Sequence, residues 1–235
     1  MTRERPDALA HLRFKAEADR FRGLGLEEAF TRIYRTNLWG SEASRSGLGS
    51  QLDATQRLRE AIPALLRRLE ARSLLDAPCG DFAWMSQVVL GDIAYTGADI
   101  VPDLIARLRA EHGGPLRRFL HLDITRDPLP AADVVLCRDL LVHLSFANIR
   151  RVLENVVRSG ARYFLTTTFT DHLVNEDIQD GDWRLLNLER PPVSLPPPLE
   201  LLVEGCEEGG GGFSDKSLGL WSVDQLRTST LADFS

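Results

Sequence analysis

The sequence predicts an α/β fold built on a doubly wound sheet of about seven strands. Two observations lead to this prediction. From residue 53 onward, short apolar or β-branched runs alternate with segments of helical spacing, the pattern of parallel strands joined by helices. Nearer the end, runs 199–206 and 216–223 flank a glycine-rich tip and predict an antiparallel hairpin. In such a sheet a ligand binds at the carboxyl ends of the parallel strands.

The chain divides into two predicted parts. Residues 1–52 are expected to form an N-terminal helical appendage and a lid loop, and residues 53–235 the main domain. The loop 38–50 is rich in glycine and serine, yet it carries Trp39 and Arg45. A linker seldom needs these two side chains. The loop therefore either folds over the active site as a lid or is a surface loop that Trp39 anchors to the core.

Composition and charge limit the functions that this chain can have. The 235 residues are 43% hydrophobic, enough for a substantial core, and carry a net charge of -6 with a pI near 5.4. This acidity argues against a general nucleic-acid binder.

The three cysteines, Cys79, Cys137 and Cys206, lack the spacing of metal ligands, which favours a reducing compartment. Because there is no apolar signal core and no run of about 18 apolar residues, we expect a soluble cytoplasmic protein with no membrane or nucleic-acid partner. The oligomeric state is left open, with a homodimer as one option.

The stretch 74–84, LLDAPCGDFAW, is the predicted centre of the ligand site. A short strand ends at Asp76, a tight turn is closed by Gly80, and an apolar segment, 82–90, follows with helical spacing. A glycine lets the backbone approach a ligand, and the free N–H groups of a following helix would point at it. The turn lacks both G-x-G-x-x-G and G-K-[ST], so a pyrophosphate is not its expected ligand.

Acidic residues end the next two predicted strands. Asp99 ends the second strand, 93–100, and lies 23 positions after Asp76. At this interval a doubly wound fold places an acidic residue that accepts hydrogen bonds from ribose hydroxyls. Asp123 lies in the third predicted strand, 118–124. The carboxylates should therefore gather at one edge of the sheet.

The remaining segments complete the predicted sheet. Residues 132–137 and 161–169 read as the fourth and fifth strands, separated by a helix, 145–159, for which Ser145 is a plausible N-cap. Other helices are expected at 53–69 and 101–112. The segment 171–198 is too long for an idle connection and is predicted to build a wall of the substrate site.

Taken together, the stretch 74–84, Asp99 and the closing hairpin resemble the class I S-adenosylmethionine-dependent methyltransferases. In that family a D-x-x-C-G-x-G-type loop holds the amino acid end of the cofactor; here Asp81 and Phe82 follow Gly80, so the third glycine is replaced. The resemblance covers residues 53–228 and implies a Rossmann-like fold with S-adenosylmethionine as cofactor. It also implies that Asp123-Ile124 faces the adenine amino group. The cofactor-binding residues it implies are Asp76, Ala77, Cys79, Gly80, Asp81, Trp84, Asp99, Ile100, Asp123, Ile124 and Cys137.

The end of the fourth strand is the expected place for a group that takes a proton from the methyl acceptor. If a helical turn begins at Asp139, then Asp139 and His143 are at positions i and i+4, and the carboxylate could orient the imidazole as a general base. A packing histidine near the cofactor is the alternative for His143. Arg138 either pairs with Asp139 or holds an anionic group of the substrate.

A second arrangement would make the reaction metal-dependent. Asp139, Asp171 and His172 follow strands four and five, where some O-methyltransferases place magnesium ligands. Oxygen ligands suit a hard cation, but an imidazole does not. We therefore expect no metal, with Asp171 and His172 capping the loop.

The expected function is S-adenosylmethionine-dependent methylation of a small molecule or glycan, most simply at oxygen. Three other readings stay open: an N-methyltransferase, a metal-dependent O-methyltransferase and a non-catalytic methyltransferase-like binding subunit. The missing glycine fingerprint disfavours a nicotinamide-dependent dehydrogenase. Aromatic faces stack on rings and arginine grips carboxylate or phosphate. The candidate substrate contacts are accordingly Trp39, Arg45, Trp183 and Arg184.

Overall fold

A computed structural model of the chain describes residues 5–40 and 44–229. Its strands are β1 (Ser73–Asp76), β2 (Ala94–Asp99), β3 (Arg117–His121), β4 (Val134–Cys137), β5 (Tyr163–Phe169), β6 (Glu200–Val203) and β7 (Lys216–Ser222). Its helices are α1 (Leu9–Glu17), α2 (Leu26–Thr36), α3 (Gln56–Arg68), α4 (Pro102–His112), α5 (Phe146–Arg158), α6 (Glu208–Gly211) and α7 (Val223–Ser229).

The strands form one sheet in the order β3-β2-β1-β4-β5-β7-β6. The first five are parallel, and β7 runs antiparallel to both β5 and β6. The strand order changes direction at β1: the chain adds β2 and β3 on one side of β1 and then β4 and β5 on the other. Asp76 at the end of β1 pairs with Gly97 and Leu136, so the ends of these central strands lie at one edge. The predicted doubly wound sheet with a closing antiparallel pair is confirmed.

The buried strands and amphipathic helices lie close to their predicted positions. All four residues of β4 are buried, which explains why this strand appears in the sequence as an uninterrupted apolar run. Helix α5 buries one face and begins after Ser145, whose Oγ accepts a hydrogen bond from the Asn148 N–H at 3.4 Å. The predicted N-cap is therefore confirmed.

The predicted helix after Gly80 is wrong. Between β1 and β2 the chain forms only a short 3-10 turn, Met85–Gln87. Phe82 has a left-handed φ of 64° and is buried, with its ring 5.2 Å from that of Tyr95 and 5.1 Å from that of Phe119. This aromatic cluster turns the chain away from a helical path, so no helix N-terminus points at the turn.

The predicted helical turn beginning at Asp139 is also wrong. Asp139 has a left-handed φ of 55°, which a right-handed helix cannot include, and a 3-10 turn follows only at Leu141–His143. Asp139 and His143 are consequently not on one face of a helix.

The N-terminal helices share the hydrophobic core of the main domain. Phe14 of α1 and Ile33 of α2 are buried beside Gly181, where a Cβ would lie 3.1 Å from each side chain. Polar contacts add to this packing, since Arg5 pairs with Asp215 at 2.7 Å. Residues 1–52 thus include structural parts of the same body, and the boundary at residue 52 stays a prediction.

Among the described residues, no helix is long and apolar enough to cross a membrane.

Candidate active site

A cleft of about 1030 Å³ lies at the carboxyl ends of the central parallel strands. Residues that end or follow β1, β2, β3 and β4 form its floor, and the side chains of α2 cover one side. All the predicted cofactor-binding residues except Cys137 line this cleft. Cys137 is fully buried within β4, and its carbonyl accepts a hydrogen bond from Thr166 at 2.7 Å. The structure therefore places the Cys137 side chain in the core and not in the cleft.

Two buried carboxylates dominate the electrostatics of the cleft. Asp99 accepts hydrogen bonds from the N–H groups of Gly80 at 3.1 Å and Val101 at 3.0 Å, and burial raises its pKa to about 6. Asp76 accepts a hydrogen bond from the Tyr95 hydroxyl at 2.7 Å, and burial raises its pKa to about 7. Both groups would gain from a ligand that presents hydrogen-bond donors or positive charge, since either stabilises the ionised carboxylate.

The end of β3 provides a polar group beside an apolar wall. Asp123 accepts hydrogen bonds from both the N–H and the hydroxyl of Thr125, at 2.9 and 2.6 Å. Leu122 and Ile124 on either side of it line the same cleft. This combination suits a flat, largely apolar ring with a polar edge.

The ionisation of Asp99 gives a testable dependence on pH. Because its pKa is about 6, the carboxylate is ionised at pH 7.5 and mostly protonated at pH 5. A ligand whose hydroxyls donate to the carboxylate binds the ionised form better, so its affinity should rise with pH through this range. We expect calorimetry to show S-adenosylhomocysteine binding about tenfold more weakly at pH 5 than at pH 7.5. Asp99→Asn should remove the part of this dependence centred near pH 6; an unchanged profile would exclude Asp99 as its source.

The loop that precedes the main domain lies against the turn after β1. The Asp81 carboxylate accepts hydrogen bonds from the Ser44 hydroxyl at 2.8 Å and the Arg45 N–H at 2.9 Å. The Asp81 N–H in turn donates to the Ser46 hydroxyl at 3.0 Å. The loop thereby covers part of the cleft, as the lid interpretation requires. Residues 41–43 of the predicted lid lie outside the described residues.

Gly80 allows this close approach. Its φ is +52°, and a Cβ at this position would lie 2.3 Å from the Ser46 hydroxyl oxygen. Gly160 offers a matched control, because its φ is +76° and a Cβ there would meet nothing within 4 Å. Both changes to alanine carry a left-handed backbone cost of about 1–2 kcal/mol. Gly80→Ala should lower the free energy of unfolding in urea by about 1–3 kcal/mol more than Gly160→Ala, because it also displaces Ser46. Equal losses would contradict the close packing of loop and turn.

A second pocket of about 590 Å³ adjoins the cleft. The two share Trp39, Ser46 and Asp139 as lining residues, so these residues stand at their junction. Aromatic side chains from separate parts of the chain line the second pocket, namely Trp39, Phe169, Trp183 and Phe213. Two ligands, one bound in each pocket, would meet at Trp39 and Asp139.

His143 lines the second pocket and is held as a neutral base. Its Nδ1 lies 2.6 Å from the carbonyl oxygen of Asp182, which can only accept, so Nδ1 must carry the proton. Nε2 is then unprotonated, and no hydrogen bond engages it among residues 5–40 and 44–229. The ring stacks on Trp39 with centroids 4.4 Å apart, and burial lowers the pKa to about 4. His143 is therefore uncharged at neutral pH with Nε2 free of a proton, and burial makes it a weaker base than a free imidazole.

Asp139 does not orient His143, contrary to expectation. Its carboxylate is instead paired with the Lys216 ammonium at 2.7 Å and the Arg138 guanidinium at 3.2 Å. These two cations hold the pKa of Asp139 well below its usual range despite burial. Asp139 is consequently a poor proton acceptor, and the carbonyl of Asp182 takes the orienting role predicted for it.

Arg138 belongs to the same charge network. Its Nη2 donates to Glu204 at 2.6 Å and to the carbonyl of Gly49 at 2.8 Å, while the guanidinium lies 5.5 Å from the Trp84 ring centroid. The predicted pairing with Asp139 is present. Lys216 and Glu204 were missed at the sequence level. The available signal was Lys216 itself, a cation at the start of the otherwise apolar run KSLGLWSV.

The four candidate substrate residues are distributed unevenly. Trp39 lines both pockets and Trp183 the second one, whereas Arg45 lines the larger cleft. Arg184 lines neither: it is buried, donates to the carbonyl of Leu141 at 3.1 Å and lies 5.1 Å from the Phe146 ring centroid. The structure therefore packs the Arg184 guanidinium against Phe146, away from both pockets.

The alternative metal site does not form. Asp171 and His172 line neither pocket, and Asp139 is already paired with two cations. In the described part of the chain, no group of three or more histidine, cysteine, aspartate or glutamate residues could hold a metal ion. The predicted grouping of Asp139, Asp171 and His172 is thus not brought together.

The fold is similar to that of a known methyltransferase. Human N-acetylserotonin methyltransferase, solved in complex with S-adenosylmethionine, aligns with a TM-score of 0.52 and 17% identity over 88% of this chain and 64% of that chain. This chain thus spans less than two thirds of that protein, and at this identity the likeness concerns the fold alone. The implied Rossmann-like methyltransferase fold is confirmed.

Two further alignments have TM-scores below 0.5 and do not bear on the fold. Magnesium protoporphyrin IX methyltransferase from Synechocystis aligns at 0.43 and 14% identity over 71% of this chain and 79% of that chain. An N-methyltransferase from Bradyrhizobium japonicum aligns at 0.43 and 17% identity over 58% and 73%. No protein-family model and no curated protein matches the sequence.

Proposed function

We propose that this protein is an S-adenosylmethionine-dependent methyltransferase that acts on an oxygen of a small molecule or glycan. The observation that carries the proposal is the junction of two pockets at Trp39 and Asp139. The larger pocket has buried carboxylates at the strand ends, and the smaller one contains a neutral histidine. One pocket suits a methyl donor and the other an acceptor.

The chemistry of the larger cleft fits S-adenosylmethionine. Among the described residues, Asp76, Asp81, Asp99, Asp123 and Asp139 line it, against only Arg45 and Arg138. An acidic cleft suits a ligand with sulfonium and ammonium groups and repels a pyrophosphate, which also disfavours a dinucleotide cofactor. Asp99 would bind the ribose hydroxyls, and Leu122, Asp123 and Ile124 would surround the adenine. When bound, the cofactor supplies a methyl group on a positively charged sulfur.

The protein's own residues would position the acceptor and remove its proton. His143 Nε2 would accept the proton from an acceptor hydroxyl, with the Asp182 carbonyl holding the ring tautomer. Residues 44–50 would limit entry of water at the junction of the pockets. A neutral amine needs less assistance from a base, so the orientation of His143 favours oxygen over nitrogen as the acceptor.

Methyl transfer to simple phenols tests the proposal. Purified protein would be incubated with S-adenosylmethionine labelled in the methyl group and with tyramine, 4-ethylphenol or 3-(4-hydroxyphenyl)propionate. We expect label in an O-methylated product of at least one phenol. The rate of methyl transfer should be much lower in Asp99→Ala. Bound cofactor with no transfer to these phenols or to cell extract would support the non-catalytic binding subunit instead.

A further inference from the structure

The smaller pocket contains a carboxylate that makes no hydrogen bond or ion pair with the described residues. Glu208 lines this pocket and is half-buried at the tip between β6 and β7. Within residues 5–40 and 44–229, no hydrogen bond or ion pair engages its side-chain oxygens. Burial raises its pKa even though the charge of Lys216 acts in the opposite direction, which reflects the cost of leaving the carboxylate partly desolvated. A carboxylate in this setting would gain from a cation or a strong hydrogen-bond donor.

The neighbouring charges leave a negative excess. Lys216 is shared between Asp139 at 2.7 Å and Glu204 at 3.6 Å, and Arg138 pairs with the same two carboxylates at 3.2 and 2.6 Å. With Glu208 included, three carboxylates face two cations, which leaves one negative charge. Lys216 is therefore already engaged by carboxylates that lie closer to it than Glu208 does.

A methyl donor bound in the larger cleft would not pair with Glu208. Glu208 lines only the smaller pocket, whereas the larger cleft has Asp76, Asp81, Asp99 and Asp123 of its own. The charge of a donor in the larger cleft would be met by those side chains. The excess negative charge at Glu208 is available to a ligand bound in the smaller pocket.

The rest of the smaller pocket also suits a cation on an aromatic or ring-shaped molecule. Trp183 and Phe213 pack edge to face with ring centroids 5.4 Å apart, and Phe169 lies 5.9 Å from Trp183. Aromatic faces attract both flat rings and positively charged nitrogen. We propose that the methyl acceptor carries a positively charged nitrogen, which Glu208 binds, in addition to the hydroxyl that His143 deprotonates. This assignment rests on the proposed function, because it names the acceptor class of the same site.

Three phenols that share an ethyl tail and differ in the group at its end test this proposal. Tyramine carries an ammonium, 4-ethylphenol is neutral, and 3-(4-hydroxyphenyl)propionate carries a carboxylate. Calorimetric titrations would be run with and without S-adenosylhomocysteine. We expect tyramine to bind about tenfold more tightly than 4-ethylphenol, and the carboxylate to bind more weakly than either.

Glu208→Gln should abolish the preference for tyramine while leaving the affinity for 4-ethylphenol unchanged. Glu207→Gln is the matched control, because Glu207 is exposed on the same tip and lines neither pocket; it should keep the preference. Equal binding of the three phenols, no binding of tyramine, or a preference that survives Glu208→Gln would overturn the proposal. Failure to bind S-adenosylhomocysteine would instead refute the methyltransferase function, and the discrimination among phenols would remain measurable without it.

Discussion

Replacing His143 by alanine is expected to lower the rate of methyl transfer to tyramine by about 10²–10⁴-fold, the range for losing a positioned general base. The Kd for S-adenosylhomocysteine should stay within about twofold, because His143 lines only the smaller pocket. In the wild-type protein, with S-adenosylmethionine saturating at every pH, the rate should remain high as the pH falls to 5 and decline as the imidazole, whose pKa is about 4, becomes protonated.

Two controls separate proton transfer from packing. His143 stacks on Trp39, so its loss could also disturb the junction of the pockets. Added imidazole should restore part of the rate of His143→Ala if the missing group is a base. His121→Ala, at an exposed histidine, should leave the rate unchanged. A wild-type rate for His143→Ala would exclude the residue from the chemistry.

The largest effect on stability is expected at Arg138. Arg138 and Glu204 have side chains only 4% and 1% exposed, and Arg138→Met would leave the Glu204 carboxylate buried without its closest cation. Removing one partner of a buried ion pair costs about 3–5 kcal/mol. The free energy of unfolding in urea should fall by that amount.

Arg68→Met is the matched control for this measurement. Arg68 pairs with Glu200 at 2.6 Å, but the two side chains are 54% and 39% exposed, so the expected loss is about 0–1 kcal/mol. Combining Arg138→Met with Glu204→Leu should recover part of the stability, because no unpaired buried charge remains. Similar losses for Arg138→Met and Arg68→Met would contradict a buried network at the junction of the pockets.

The parts of the fold that sequence patterns predicted are those set by burial and short-range spacing. Strand β4 is apolar throughout because both its faces are covered, and α5 shows its apolar stripe and its cap at Ser145. The acidic residue at the end of β2 follows from the regular length of a strand-loop-strand unit, and Asp99 does line the larger cleft. These features depend on neighbours within one element or one repeat.

The parts that failed depend on contacts distant in sequence or on unusual backbone angles. The pair Asp139 and Lys216 joins residues 77 positions apart, so no local spacing reports it. The left-handed φ of Asp139 broke the presumed helical register with His143. Arg184 was predicted to contact the substrate because local spacing does not report its burial against Phe146, which arises only when the segment after β5 folds back.

Calorimetric titration of S-adenosylhomocysteine tests the central claim, that the acidic cleft binds this class of cofactor. We predict a saturable isotherm with one site per chain, and a loss of affinity of about 10- to 100-fold in Asp99→Ala, the effect of removing hydrogen bonds to a charged group. Asp103→Ala, at an exposed position on α4, should bind as the wild type does. Absence of binding to the wild-type protein, or equal affinity in wild type and Asp99→Ala, would contradict the assignment of the cleft.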